Sequence, residues 1–88
     1  MPNRLELFTH PGCLSREGGK QFIKSVLKDF PQVEFREVDM VAEQKRSAAL
    51  GVLMSPTLVF NDKIMTVGIP AEQTLRTLLE ELVHDKTR

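Results

Sequence analysis

The order of apolar patterns along the chain constrains the fold more than any other feature of the sequence. Residues 5–9 and Val33–Asp39 have the patterns of short strands, and apolar residues at helical spacing lie between them. We expect that helix to begin near Cys13 and to end at Phe30, because Pro31 disfavours helical geometry in the residue before it. Two strands joined through a helix pair in parallel by a right-handed crossover. The first half of the chain therefore predicts a β-α-β unit.

A second helix is predicted immediately after this unit. It is expected to cover residues 41–50, with Ala48, Ala49 and Leu50 facing inward. Gly51 follows at the position where a glycine closes a helix by adopting left-handed backbone angles. The second half of the chain therefore opens with a helix that ends at this glycine.

The remaining residues predict a hairpin and a last helix. Thr57–Phe60 and residues 64–67 are strand-like, and the polar residues 61–63 between them favour a turn. An apolar stripe then runs through residues 75–83 at helical spacing, before a polar tail at 85–88. We therefore predict an α/β fold of order β-α-β-α-β-β-α, in which a mixed four-stranded sheet is flanked by three helices.

Length and charge limit the classes of protein to which the chain can belong. Its 88 residues make one domain, residues 1–88, and its 12 basic residues balance its 12 acidic ones. A neutral chain gives no electrostatic reason to expect nucleic acid or an anionic membrane as partner. No apolar run approaches the roughly 20 residues that span a bilayer, and no secretory signal is expected at the N-terminus.

Cys13 is the only cysteine in the sequence and the main candidate for chemistry. Without a second cysteine there is no internal disulfide, which favours a reducing, cytoplasmic location. Cys13 follows the first predicted strand, where the N-terminus of a helix favours a thiolate. Arg16 lies three residues further on, on the same helical face, where its charge would also stabilise a thiolate. The alternative is a buried, protonated cysteine that acts only as a small apolar residue.

The two histidines give no further candidate for catalysis at this site. We interpret His10 as solvated, since a histidine before proline in a loop usually is, and we assign no function to His84 in the last helix. His10 and Cys13 are too few for a zinc site, so no metal is expected.

Three segments in order resemble the thioredoxin-like superfamily. They are residues 9–13 (THPGC), 55–60 (SPTLVF) and 67–68 (VG), and they extend over nearly the whole chain. The short length is closer to glutaredoxins and small glutaredoxin-like thioredoxins than to full-length thioredoxins. The resemblance implies that Pro56 is a cis proline facing the cysteine, whereas sequence statistics alone favour trans.

The resemblance also implies a binding site around that proline. The main chain of Ser55 would pair with an extended peptide or glutathione, much as a strand adds to a sheet edge. Gly12, Thr57 and Gly68 complete the implied site. The chain departs from the family where Arg16 occupies the place of the second cysteine and where a paired-glycine glutathione clamp is reduced to Gly68-Ile69.

These observations give one leading function and two alternatives. The leading hypothesis is monothiol thiol–disulfide exchange through Cys13, either deglutathionylation or mixed-disulfide formation with a protein. No cofactor is required, glutathione is a candidate co-substrate, and a monomer is expected. The first alternative is a redox-inactive binding module, and the second is a redox-sensing dimer linked through Cys13.

Overall fold

The computed structural model describes residues 3–12 and 16–85, without the side chains of Arg16, His84 and Asp85. The described residues form four strands and three helices in the predicted order. They are β1 (Asn3–Thr9), α1 (Arg16–Leu27), β2 (Val33–Asp39), α2 (Gln44–Leu50), β3 (Thr57–Phe60), β4 (Lys63–Val67) and α3 (Glu72–Asp85).

The four strands form one mixed sheet in the spatial order β2-β1-β3-β4. β1 is parallel to β2 and antiparallel to β3, and β4 is antiparallel to β3. β1 is therefore a central strand, and five of its seven side chains from Leu5 onwards are fully buried or nearly so. The predicted α/β architecture, a mixed four-stranded sheet with three helices, is confirmed.

Each face of the sheet has its own hydrophobic core. Leu5 and Leu7 of β1 pack with α1 and α3 in the larger core, where Ile23 and Leu75 are fully buried. The smaller core lies on the other face, around Phe8, beside the end of α2. Because neighbouring residues of a strand point to opposite faces, β1 contributes to both cores. Burial on both faces holds β1 in the middle of the sheet, and the loop that follows it begins after Thr9.

A buried ion pair joins β1 to α2. Glu6 is fully buried, and both of its carboxylate oxygens accept hydrogen bonds from the Arg46 guanidinium, at 2.8 and 2.6 Å. The same guanidinium donates to Asp62 at 2.8 Å and lies 5.3 Å from the centre of the Phe8 ring. Paired geometry of this kind satisfies a buried carboxylate that would otherwise be very costly.

The second helix is shorter than predicted. The Asp39 carboxylate accepts hydrogen bonds from the main-chain N–H groups of Val41 and Ala42, so these residues form a turn and α2 begins at Gln44. Gly51 closes the helix with left-handed angles, φ 84° and ψ 18°, as expected.

Of the three residues predicted to face inward from α2, Leu50 does so, since it packs against the smaller core, whereas the prediction for the two alanines is wrong. Ala48 and Ala49 are exposed, Leu50 is half-buried, and Ser47 is the buried residue of the helix. The Ser47 hydroxyl tolerates burial because it donates a hydrogen bond to the Glu43 carbonyl at 3.0 Å. The spacing of apolar residues cannot predict that a polar residue is buried while the two alanines next to it are exposed.

Two further boundaries differ from the prediction. α1 ends at Leu27, three residues before Phe30, where tighter turns replace the helix. The β3–β4 turn is restricted to Asn61 and Asp62, both with positive φ, and Lys63 already belongs to β4.

No helix among residues 3–12 and 16–85 is both long and apolar enough to cross a membrane.

Candidate functional site

The loop after β1 and the loop before β3 lie at the same end of the sheet. β1 ends at Thr9, and the exposed residues His10, Pro11 and Gly12 follow it. Phe8 pairs with Thr57, the first residue of β3, so the residues before Thr57 come alongside this loop. We call residues 53–56 the cis-proline loop, because the peptide bond between Ser55 and Pro56 is cis.

Two hydrogen bonds organise the loop after β1. The main-chain N–H of His10 donates to the Ser55 hydroxyl oxygen at 3.0 Å. The main-chain N–H of Gly12 donates to Nδ1 of the His10 ring at 3.2 Å. The residue that precedes Cys13 in the sequence is therefore linked, through His10, to the cis-proline loop.

The cis-proline loop is also held from within and from β4. The Thr57 hydroxyl donates to the Met54 carbonyl at 2.6 Å. The Gly68 N–H donates to the Pro56 carbonyl at 2.7 Å. Gly68 has a φ of 91°, a backbone conformation that a residue with a Cβ rarely adopts. These bonds fix the loop between the end of β1 and the end of β4.

Ser55 presents main-chain groups at the centre of this arrangement. Ser55 and Pro56 are half-buried, and the main-chain N–H and C=O of Ser55 make no hydrogen bond with another residue of the described ranges. Main-chain donors and acceptors at a surface are the groups with which an added extended peptide pairs.

Exposed apolar side chains lie on both segments that flank Pro56. Leu53 is 84% exposed, Met54 is 61% exposed, and Val67, which pairs with Thr57, is 63% exposed. We call these three residues the apolar rim. Exposed apolar side chains beside unpaired main-chain groups are typical of a surface that contacts another molecule.

Known thioredoxins are similar to this chain in sequence or in fold. No family model matches the chain. The thioredoxin of Methanocaldococcus jannaschii is 26% identical over 73 residues, which cover 82% of this chain and 86% of that protein. The structure of Fasciola hepatica thioredoxin aligns with a TM-score of 0.74 at 24% identity, over 91% of this chain and 80% of that one. Trypanosoma brucei brucei thioredoxin aligns with a TM-score of 0.75 at 21% identity, over 94% and 76%.

The chain has the thioredoxin-like fold, and its sequence is similar to that of a thioredoxin. In this thioredoxin-like protein the sequence provides a single cysteine, and Arg16 stands three residues after it. Cys13 itself lies outside the described residues, as does the Arg16 side chain, so their predicted roles stay predictions. α1 begins at Arg16 and therefore follows Cys13 closely along the chain.

The other predicted site residues lie close together at one end of this thioredoxin-like fold. Ser55 and Pro56 belong to the cis-proline loop, Gly68 donates a hydrogen bond to it, and Gly12 is linked to it through His10. Thr57 is buried, and its hydroxyl donates a hydrogen bond to the Met54 carbonyl. Its side chain therefore stabilises the cis-proline loop from within.

Sequence reasoning missed two features of the site. The His10 ring is exposed, as expected, but it also accepts a hydrogen bond and is more than a solvated side chain. Its spacing of two residues from Gly12 is the signal that could have indicated such a turn. The apolar rim has no comparable signal, because Leu53 and Met54 are of residue types that are usually buried.

The end of β1 also contains an unusual buried hydroxyl. Thr9 is 1% exposed, and its Oγ1 has no hydrogen-bond partner among the residues that the structure describes.

Within these same ranges, no group of three or more histidine, cysteine, aspartate or glutamate side chains is placed to hold a metal ion.

Proposed function

We propose that this protein carries out thiol–disulfide exchange through Cys13 by a monothiol mechanism. The observation that supports this proposal most is the 3.0 Å hydrogen bond between the His10 N–H and the Ser55 hydroxyl. It joins the segment that leads to the only cysteine with the loop in which the main-chain groups of Ser55 have no partner among the described residues. A nucleophile and a docking segment for its substrate are thereby built from two distant parts of the chain.

The proposed exchange has two steps and no net oxidation. The Cys13 thiolate attacks one sulfur of a mixed disulfide, so that a new S–S bond forms, the old one breaks, and the leaving thiolate takes up a proton. A second thiol, as thiolate, then attacks the capped Cys13. This releases Cys13 as a thiolate and leaves the second thiol in a new disulfide.

Each site residue has a proposed role in this exchange. Cys13 is the nucleophile, and Arg16 with the N-terminus of α1 stabilises its thiolate. The main chain of Ser55 docks the substrate beside Pro56. Gly12 and Gly68 allow close approach from either side of the loop.

The partners follow from the same chemistry. A protein disulfide or a glutathione mixed disulfide provides the sulfur that Cys13 attacks, and glutathione is the candidate second thiol. We propose a reducing compartment, the cytoplasm, because free thiols are needed to release Cys13. The exchange uses no metal or organic cofactor.

The direct experiment compares the wild type with Cys13→Ser on a peptide that carries a glutathione mixed disulfide. The wild type is expected to release glutathione catalytically in the presence of a second thiol, and the variant to be inactive. Alkylation of Cys13 by iodoacetamide across pH should show a half-point one unit or more below the usual value of about 8.5. An ordinary half-point together with no turnover would falsify the proposal.

A redox-inactive binding module is the second candidate, and the apolar rim favours it. The three exposed apolar side chains do not depend on a second cysteine for their use in binding. Under this proposal Cys13→Ser keeps its affinity for an extended apolar peptide, while Leu53→Gln loses it. A disulfide-linked dimer through Cys13 would instead show as a band of doubled mass on non-reducing electrophoresis.

A further inference from the structure

We propose that His10 is a positioning residue, which sets the loop leading to Cys13 against the cis-proline loop. The inference rests on the proposed exchange reaction and adds a determinant of its preference for docked substrates. His10 does not touch the reacting atoms in this assignment. It acts through Gly12 on one side and Ser55 on the other.

Two different atoms of His10 provide the link. Its main-chain N–H donates to the Ser55 hydroxyl at 3.0 Å, across 45 positions of sequence. Its ring Nδ1 accepts from the Gly12 N–H at 3.2 Å. The Nδ1 atom accepts this bond through its ring lone pair. One residue therefore holds both the docking loop and the residue next to Cys13.

The link matters because it connects the loop after β1 with the cis-proline loop, which is itself fixed by other bonds. No second hydrogen bond joins residues 10–12 to the cis-proline loop within the described part of the chain. Gly12 is exposed, and among the described residues other than its chain neighbours a Cβ placed on it would meet the His10 ring alone, at 3.7 Å. The hydrogen bond from its N–H to the His10 ring therefore holds Gly12 within the described part of the loop.

The ring can be replaced by a side chain of similar reach. An asparagine side-chain oxygen accepts a hydrogen bond from the main-chain N–H two residues on, as the His10 ring does. His10→Asn therefore keeps the turn, whereas His10→Ala removes it and retains the main-chain bond to Ser55. Ser55→Ala removes that second bond and retains the turn, so each half of the link has its own variant.

The experiment compares two substrates of Cys13. One is an extended peptide mixed disulfide that docks on the cis-proline loop, and the other is bis(2-hydroxyethyl) disulfide, which is too small to dock. The ratio of their second-order rate constants cancels the thiolate fraction of Cys13. His10→Ala and Ser55→Ala are each expected to lower this ratio about fivefold, the equivalent of one hydrogen bond. His10→Asn is expected to restore it to within twofold of the wild type.

The outcomes separate this inference from the proposed function. If the wild type reacts with both disulfides at equal rates, docking is absent and the positioning role is overturned, whereas the exchange itself is overturned only if Cys13→Ser reacts as fast as the wild type. If the wild type prefers the peptide and His10→Ala does so equally, only the positioning role is overturned. The double variant His10→Ala, Ser55→Ala provides a second measurement: a loss smaller than the product of the single losses supports one connected link. A loss equal to that product overturns it.

Discussion

Gly18 and Gly19 are adjacent in α1, but the structure gives only one of them a steric role. A Cβ on Gly18 would meet nothing within 4 Å, while a Cβ on Gly19 would lie 3.3 Å from Cδ1 of Ile69. Gly18→Ala should therefore raise the free energy of unfolding by about 1 kcal/mol, because alanine is the better helix former. Gly19→Ala should raise it by less or lower it. Urea denaturation of both variants tests this difference, and an equal gain from both would contradict it.

The Thr9 hydroxyl gives a second prediction at this scale. A buried hydroxyl without a partner loses its hydration and gains no hydrogen bond in return. Thr9→Val keeps the shape of the side chain and removes that oxygen. We expect the free energy of unfolding to stay equal or to rise by up to about 1 kcal/mol. A loss of more than about 1 kcal/mol in urea denaturation would show that the hydroxyl is bonded in solution.

At the scale of elements, one buried ion pair links β1 to α2. Arg46→Met would leave the fully buried Glu6 without its paired donors, and we expect it to lower the free energy of unfolding by about 3 kcal/mol. Arg36 is the matched control, since it is half-exposed and lies 3.9 Å from Glu6 and 3.4 Å from Glu43. Arg36→Met should cost less than about 1 kcal/mol. Similar losses for the two variants, measured in urea, would argue against the buried pair.

Asp62 extends the same network to the β3–β4 turn and makes it sensitive to pH. Its hydrogen bond from Arg46 is the main cause that holds the pKa of the Asp62 carboxyl below its usual value. A carboxyl with a lowered pKa in the folded state stabilises the fold above its unfolded pKa, and this contribution is lost as pH falls through the folded pKa. The wild type should therefore be more stable than Asp62→Asn at pH 7.

That advantage should decrease as the pH falls below about 4, where an unfolded aspartate takes up its proton. Because Asp62 is exposed, 1 M salt should also reduce the difference at pH 7. Thermal unfolding of the two proteins at pH 7, with and without 1 M salt, and at pH 3 measures both effects. A difference that is the same at both values would mean that the Asp62 charge does not contribute.

At the scale of the whole molecule, the sequence predicted the features that follow from a regular spacing of buried residues. The strands and helices follow from apolar spacing, and the parallel pairing of β1 with β2 follows from the helix between them. The start of α2 could not be read in this way, because a single Asp39 carboxylate decides it. The link from His10 to Ser55 was equally out of reach, since it joins residues 45 positions apart and depends on the folded sheet.

The two ends of β4 provide a test of which part of the surface is used in binding. Val67 is 63% exposed at the end that pairs with Thr57, next to the cis-proline loop, and Ile64 is 40% exposed near the other end of the strand. Val67→Thr keeps the branched shape and makes the apolar rim more polar. It should lower the affinity for an extended apolar peptide about threefold, through the transfer cost of one methyl group.

Ile64→Thr is the control, because it makes a comparable change on the same strand away from the cis-proline loop. Its peptide affinity should equal that of the wild type, even where its stability is lower, since Ile64 pairs with Val59 and not with the loop. Both affinities are measured by calorimetry in a Cys13→Ser background, so that no disulfide forms. An equal loss in both variants would mean that peptides bind along the whole of β4, and that the apolar rim is not the binding surface.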